Sequence, residues 1–278
     1  MVTGDPVAIG EAFTRDPRIH KISFTGSTRT GKLLASKCGA MLKKMTLELG
    51  GNAPFMVFND ATMEDAIAGL VNAKLRNAGQ VCISPNRIFV QSGIYDAFVE
   101  QLTAAVSKIR VDQGMQDEFV VGPLINQNAL DKVTSLVNDA VSRGAKVMLG
   151  GKPDAKGGLF YPPIILCNAD DSCDMHNTEI FGPVFALYCF TSEEEGIRRA
   201  NNTEYGLVAY AWTTDVGRAF RLSSKLEAGM VMINSGSVGT ASVPFGGIKS
   251  SGYGREGGHY GIEEYVQVKY ILMAGQNR

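Results

Sequence analysis

The stretch Pro54-Phe55-Met56-Val57-Phe58-Asn59-Asp60 decides the architecture. Five residues in a row are apolar or ring-closed, with no polar residue alternating among them. Such a run reads as a strand buried on both faces rather than one with a wet side. Asn59-Asp60 then offers a cap for a helix from about Ala61 to Asn77, with Met63, Ala66, Ile67, Leu70 and Val71 as its apolar stripe. Strand, cap, helix is half of a parallel crossover unit.

Working outward, the alternation continues in both directions. Upstream, Ile19 to Thr25 reads as a strand that Gly26-Ser27-Thr28 turns into a helix reaching about Lys44, followed by a short strand from Met45 to Leu47. Downstream come strand Ile88 to Val90, helix Tyr95 to Ile109, helix Asn126 to Arg143, strand Lys146 to Leu149 and a turn-rich loop from Gly150 to Gly158. Strands Ile164 to Leu166 and Phe185 to Phe190, helix Ser192 to Asn201, strand Leu207 to Trp212, helix Asp215 to Leu226 and strand Met230 to Asn234 complete the series. Ser235 to Tyr253 is rich in Gly and Ser, has no periodicity and reads as a long loop. Val266 to Met273 reads as a last strand. The expected class is α/β with a parallel sheet.

Composition narrows the function. The 278 residues suffice for one large core or two domains. With 45% hydrophobic and 20% charged residues the chain reads as globular. A net charge of −1 gives no footprint for nucleic acid or an anionic membrane. No apolar run reaches the ~18 residues of a membrane span, and Met1 to Pro6 lacks the basic start and apolar core of a signal peptide. Five cysteines without metal-like spacing point to a reduced, cytoplasmic thiol pool, and three scattered histidines argue against a catalytic metal.

The helix that starts after Asp60 leads into Arg76-Asn77-Ala78-Gly79-Gln80-Val81-Cys82. Upstream lies Glu48-Leu49-Gly50-Gly51. A thiol in a loop and a carboxylate beside two glycines are the parts of a nucleophile and the base that serves it. A lone cysteine is more often core packing, so the surrounding motifs decide. Phe24-Thr25-Gly26-Ser27-Thr28, Glu48-Leu49-Gly50-Gly51, Asn77 to Cys82, Glu179-Ile180-Phe181-Gly182-Pro183 and Pro244-Phe245-Gly246-Gly247 occur in that order. Together they resemble the aldehyde dehydrogenase superfamily over the whole chain, and most nearly the succinate-semialdehyde dehydrogenases.

That resemblance implies a set of expectations. Residues 1–50 would be a remnant of the Rossmann-type nucleotide-binding domain, 51–250 the catalytic domain and 251–278 the oligomerisation segment. Roughly the first 200 residues of a full-length relative, more than an ordinary small domain, would have no counterpart, leaving sheet edges uncovered and favouring a homo-oligomer or association with a related chain. Cys82 would attack a small aldehyde, hydride would pass to NAD or NADP, and Glu48 would activate the water that cleaves the thioester. The Cys82 amide would serve the oxyanion. The family's second donor, an asparagine, falls before residue 1, and losing such a donor costs ~10²–10³ in rate. Gly26, Ser27 and Leu49 would hold the dinucleotide and Glu179 with Phe181 its nicotinamide ribose. A helix N-terminus suits the pyrophosphate. Arg76 and Thr240 would meet a distal carboxylate on the substrate. Ser84 stands where some relatives carry a second cysteine, so no redox disulfide is expected. His176 is a lesser candidate at the mouth of the site. Two alternatives stay open: a non-redox hydrolase, lyase or cyclase built on Cys82 and Glu48, and a non-catalytic partner of a full-length relative.

Overall fold

The structure is a computed structural model and describes residues 1–113, 120–151 and 156–275. Along the chain, α1 (Pro6–Arg15), β1 (Lys21–Thr25), α2 (Thr28–Ala40) and β2 (Lys44–Glu48) are followed by β3 (Ala53–Val57), α3 (Met63–Leu75), β4 (Pro85–Gln91) and α4 (Tyr95–Val106). Next come two short strands, β5 (Arg110–Val111) and β6 (Val120–Val121), then α5 (Gln127–Ser142), β7 (Lys146–Leu149), β8 (Ile164–Cys167), α6 (Asp174–Asn177) and β9 (Val184–Phe190). The last third carries α7 (Glu193–Asn201), β10 (Tyr205–Gly206), β11 (Val208–Trp212), α8 (Val216–Lys225), β12 (Met230–Ile233), β13 (Ile248–Lys249), β14 (Gly252–Tyr253) and α9 (Gly258–Glu263).

Seven strands form the main sheet in the order β12-β11-β3-β4-β9-β8-β7. Every pairing in it is parallel except β7 on β8. The apolar run that opened the sequence reading becomes β3, near the centre, with all five residues buried. A second sheet, β1-β2-β14, has its own small core of Cys38, Met45, Leu47 and Leu49. The chain passes from the second sheet to the first through Leu49-Gly50-Gly51-Asn52. The site therefore lies where the C-terminal ends of β1 and β2 face the N-terminal ends of β3, β4 and β9.

Several expectations need correction. The helix after β1 stops at Ala40 because Leu42 takes a left-handed φ of 53°. Asp60 does not cap α3, whose N-cap is Thr62. Its carboxylate instead accepts from the Thr213 hydroxyl at 2.7 Å and from the Thr214 and Asp215 N–H groups, tying β3 to β11. The helix expected to reach Asn77 ends at Leu75. β7 pairs with β8 antiparallel, against the expectation of a purely parallel sheet. The expected Gly150–Gly158 loop falls partly outside the described residues. Ser235 to Tyr253 is not structureless: β13 pairs with β10, and β14 with β2. Val266 to Met273 belongs to no strand, and Val268, Tyr270, Ile271 and Leu272 are exposed. A strand exists only where a second segment supplies the ladder, and none of the described residues does so there. No described helix is long and apolar enough to cross a membrane.

Candidate active site

α3 ends because the backbone turns left-handed at Asn77 (φ 51°), Ala78 (56°) and Gly79 (76°). Gly79 is needed for a second reason: a Cβ there would fall 2.2 Å from the Gly182 carbonyl oxygen. This turn lifts Val81 and Cys82 off the end of the helix before β4 begins. Gly51 does the same service from the opposite side, since a Cβ on it would sit 2.4 Å from the Cys82 carbonyl oxygen. Gly50 lets the Glu179 carboxylate approach, and the Gly51 N–H donates to Glu179 Oε1 at 3.0 Å.

Glu48 closes β2. Its carboxylate is buried, at 4% exposure, and neither oxygen has a hydrogen-bond partner. Room for it comes from Gly246 in the Pro244-Phe245-Gly246-Gly247 motif, where a Cβ would lie 2.9 Å from Glu48 Oε1. Burial, then the nearby Glu256 carboxylate, push the Glu48 pKa from 4.5 to about 8, against a smaller pull from Arg255. Cys82 is half-buried. Burial, then Glu179 and Glu48, push its thiol up to about 11, while the Cys82 and Ile83 amides favour the thiolate. Both groups are therefore held toward the neutral form. Either becomes reactive once a ligand changes its surroundings.

These groups share one cavity of about 620 Å³. It is lined by Gly26, Ser27, Glu48, Leu49, Cys82, Glu179 and Phe181, together with Lys132 and the 125–129 segment. Two helix N-termini open onto it. Ser27 caps α2, its hydroxyl accepting the Thr30 N–H at 3.3 Å, and Asn126 caps α5, accepting the Ala129 N–H at 2.9 Å. Free amides and the positive ends of two helix dipoles suit a phosphate-bearing ligand. Glu179 is pushed up by burial and held down by the Gly51 bond, Lys132 and Lys74. A glycine-lined wall, two helix ends and a lysine fit the pyrophosphate and ribose of a dinucleotide.

Every catalytic and cofactor candidate from the sequence lines this cavity. The two substrate candidates do not. Arg76 is exposed, yet close enough to stabilise the ionised phenol of Tyr210, the ring on which Cys82 also acts. Thr240 is exposed, with its hydroxyl 2.8 Å from that of Ser242. His176 is 1% exposed and packs edge-on against Tyr188, so it is core and not the mouth of the site. Sequence reasoning passed over Lys132, a polar-face residue of an amphipathic helix with nothing local to mark it. Among the described residues no group of His, Cys, Asp and Glu is placed to hold a metal.

Comparison with known proteins identifies the family. The family model "Aldehyde dehydrogenase family" matches residues 1–271. The chain is 45% identical over 273 residues to an NADP(+) succinate-semialdehyde dehydrogenase of Escherichia coli, covering 98% of this chain and 57% of that protein. It is 45% identical over 278 residues to a 3-sulfolactaldehyde dehydrogenase of Pseudomonas putida, covering 100% of this chain and 57% of that protein. The crystal structure of a succinate-semialdehyde dehydrogenase from Burkholderia pseudomallei superposes with a TM-score of 0.97 at 48% identity, over 99% of this chain and 57% of that one. The chain thus spans little more than half the length of these relatives, and it belongs to the aldehyde dehydrogenase family.

Proposed function

We propose that the chain carries the thiol-and-carboxylate centre of an aldehyde dehydrogenase that oxidises a small semialdehyde with a distal acid group. The observation behind this reading is the single cavity that brings Cys82, Glu48, Gly26, Ser27, Glu179 and Phe181 together. Cys82 adds to the aldehyde carbon, and its own amide N–H is the donor this chain offers to the resulting oxyanion. A bound NAD or NADP would supply the hydride acceptor, held by Gly26, Ser27 and Leu49 at the phosphates and by Glu179 and Phe181 at the ribose. Glu48, ionised, draws a proton from water as that water attacks the Cys82 thioester, and the acid leaves.

Arg76 is the substrate end of the proposal, with Thr240 as a second donor. Succinate semialdehyde carries a carboxylate and 3-sulfolactaldehyde a sulfonate away from the aldehyde. Both are anions that a guanidinium binds in bidentate fashion. The exposed segment from Val266 to Met273 supports association with a second copy, which would give its backbone a ladder.

The test is the absorbance of reduced nicotinamide in purified protein given succinate semialdehyde and NAD or NADP. Cofactor reduction that disappears in Cys82→Ala supports the reading. A folded sample that reduces neither cofactor contradicts it.

A further inference from the structure

The Gln80 side chain makes three hydrogen bonds within and beyond the cysteine loop. It is 9% exposed and uses both ends of its amide. Its Oε1 accepts the Ile125 N–H at 2.8 Å. Its Nε2 donates to the Asn77 carbonyl at 3.1 Å and reaches the Pro123 carbonyl at 3.4 Å. The Asn77 side chain returns a bond from Nδ2 to the Gln80 carbonyl at 3.1 Å, and the Gln80 N–H donates to the Asn77 carbonyl at 3.0 Å.

The amide thus closes the left-handed turn at Asn77, Ala78 and Gly79 upon itself and fastens that turn to residues 123–125. That segment leads into α5, from which Asn128, Ala129 and Lys132 line the cavity. On its other side the turn is pressed against the Gly182 carbonyl through Gly79. A turn made of two left-handed residues with Cβ atoms keeps that shape only where its surroundings over-determine it. Gln80 supplies the polar part of that restraint, two residues before the thiol.

We propose that Gln80 is a positioning residue, which holds the Cys82 loop against the 123–125 wall and so fixes how deep the thiol sits between Glu48 and Glu179. The inference rests on Cys82 being the nucleophile. A glutamine that merely supported the fold would change thermal stability and leave the relative reactivity of Cys82 alone.

The experiment is peptide-resolved alkylation by iodoacetamide across a pH series, on the whole chain and its Gln80→Met variant. Methionine keeps the volume and loses the amide. Cys38, Cys167 and Cys173 are buried and report loss of the fold, and the exposed Cys189 is an internal reference. Release of the loop moves the thiol toward water and away from the Glu179 carboxylate. Cys82 should therefore react about tenfold faster at neutral pH, one unit of thiol pKa, with Cys189 unchanged. A Cys82 profile identical to that of the parent, with the three buried cysteines still protected, would overturn the proposal. Where Gln80→Met exposes those cysteines, Gln80→Asn, whose neutral amide is one methylene shorter than the bridge from Asn77 to Ile125, decides by the same criterion. Alkylation needs neither aldehyde nor cofactor, so this result and the dehydrogenase assay can fail separately.

Discussion

The Glu179 carboxylate accepts the Gly51 N–H at 3.0 Å, joining the turn between the two sheets to the loop before β9. This bond keeps a partly buried negative charge beside Cys82, where it raises the thiol pKa more than Glu48 does. A ribose hydroxyl that engaged Glu179 would weaken that effect. Glu179→Gln removes the charge outright. The alkylation profile of Cys82, pushed up to about 11 in the parent, should then move to lower pH. An unmoved profile would remove Glu179 from the electrostatics of the thiol.

Gly51 has no space for a side chain. A Cβ there would lie 2.4 Å from the backbone oxygen of Cys82, which cannot swing aside as a flexible chain end would. Gly51→Ala should displace Cys82 by a fraction of an ångström or more. A misplacement of about 1 Å costs ~10²-fold in rate, so kcat should fall by about that factor with a smaller change in KM. Retention of parental kcat would show that the close approach is not needed.

Glu48 predicts a trade of stability against activity. Its folded pKa of about 8 exceeds the ordinary 4.5, so between these values the folded state binds more protons than the unfolded one. Stability then declines as pH rises through that window. Glu48→Gln removes the decline and should stabilise the protein by about 2–4 kcal/mol above pH 8, with the gain vanishing below pH 4.5. On the proposed mechanism the same variant loses about 10²–10⁴ in turnover. Thermal melts at several pH values check the first statement, and steady-state kinetics the second.

Arg87 is a purely structural counterpart. It is fully buried and donates to the Asn52, Arg199 and Ala200 carbonyls at 2.7–3.1 Å. It braces the residue after Gly51 against α7. Arg87→Met would remove the guanidinium donor from all three carbonyls, leaving the Arg199 carbonyl only the Asn202 N–H, at a cost of about 3–5 kcal/mol, read as a lowered denaturation midpoint. A shift below about 1 kcal/mol would mean that water replaces the guanidinium.

Much of the fold was legible in the sequence because it depends on periodicity. The unbroken apolar run at Pro54 to Phe58 marks a doubly covered strand, and the alternation of strands and helices gives the parallel sheet. Pairing was less legible, because a ladder is decided by two segments far apart in sequence. Hence the antiparallel β7, the small strands β13 and β14 and the ladderless Val266 to Met273 were missed or misread. Asp60 reads locally as a cap and serves instead a loop distant in sequence. In the site, motifs picked out Cys82, Glu48, Gly26, Ser27, Glu179 and Phe181, all of which line one cavity. The reasons for the glycines became visible only with their neighbours: Gly246 makes room for Glu48, and Gly79 meets Gly182. Lys132 carries no local signal that separates it from a surface lysine, and Gln80, though inside the cysteine motif, shows its partners Pro123 and Ile125 only in the fold.

The central claim is that Cys82 takes the acyl group and Glu48 releases it. The direct measurement is mass spectrometry of tryptic peptides from the Glu48→Gln variant after incubation with succinate semialdehyde and NADP or NAD. A succinyl thioester accumulating on the Cys82 peptide, and absent without cofactor, is the result this account predicts. A reduced cofactor with Cys82 unmodified, or acyl groups on Cys189 instead, would contradict it.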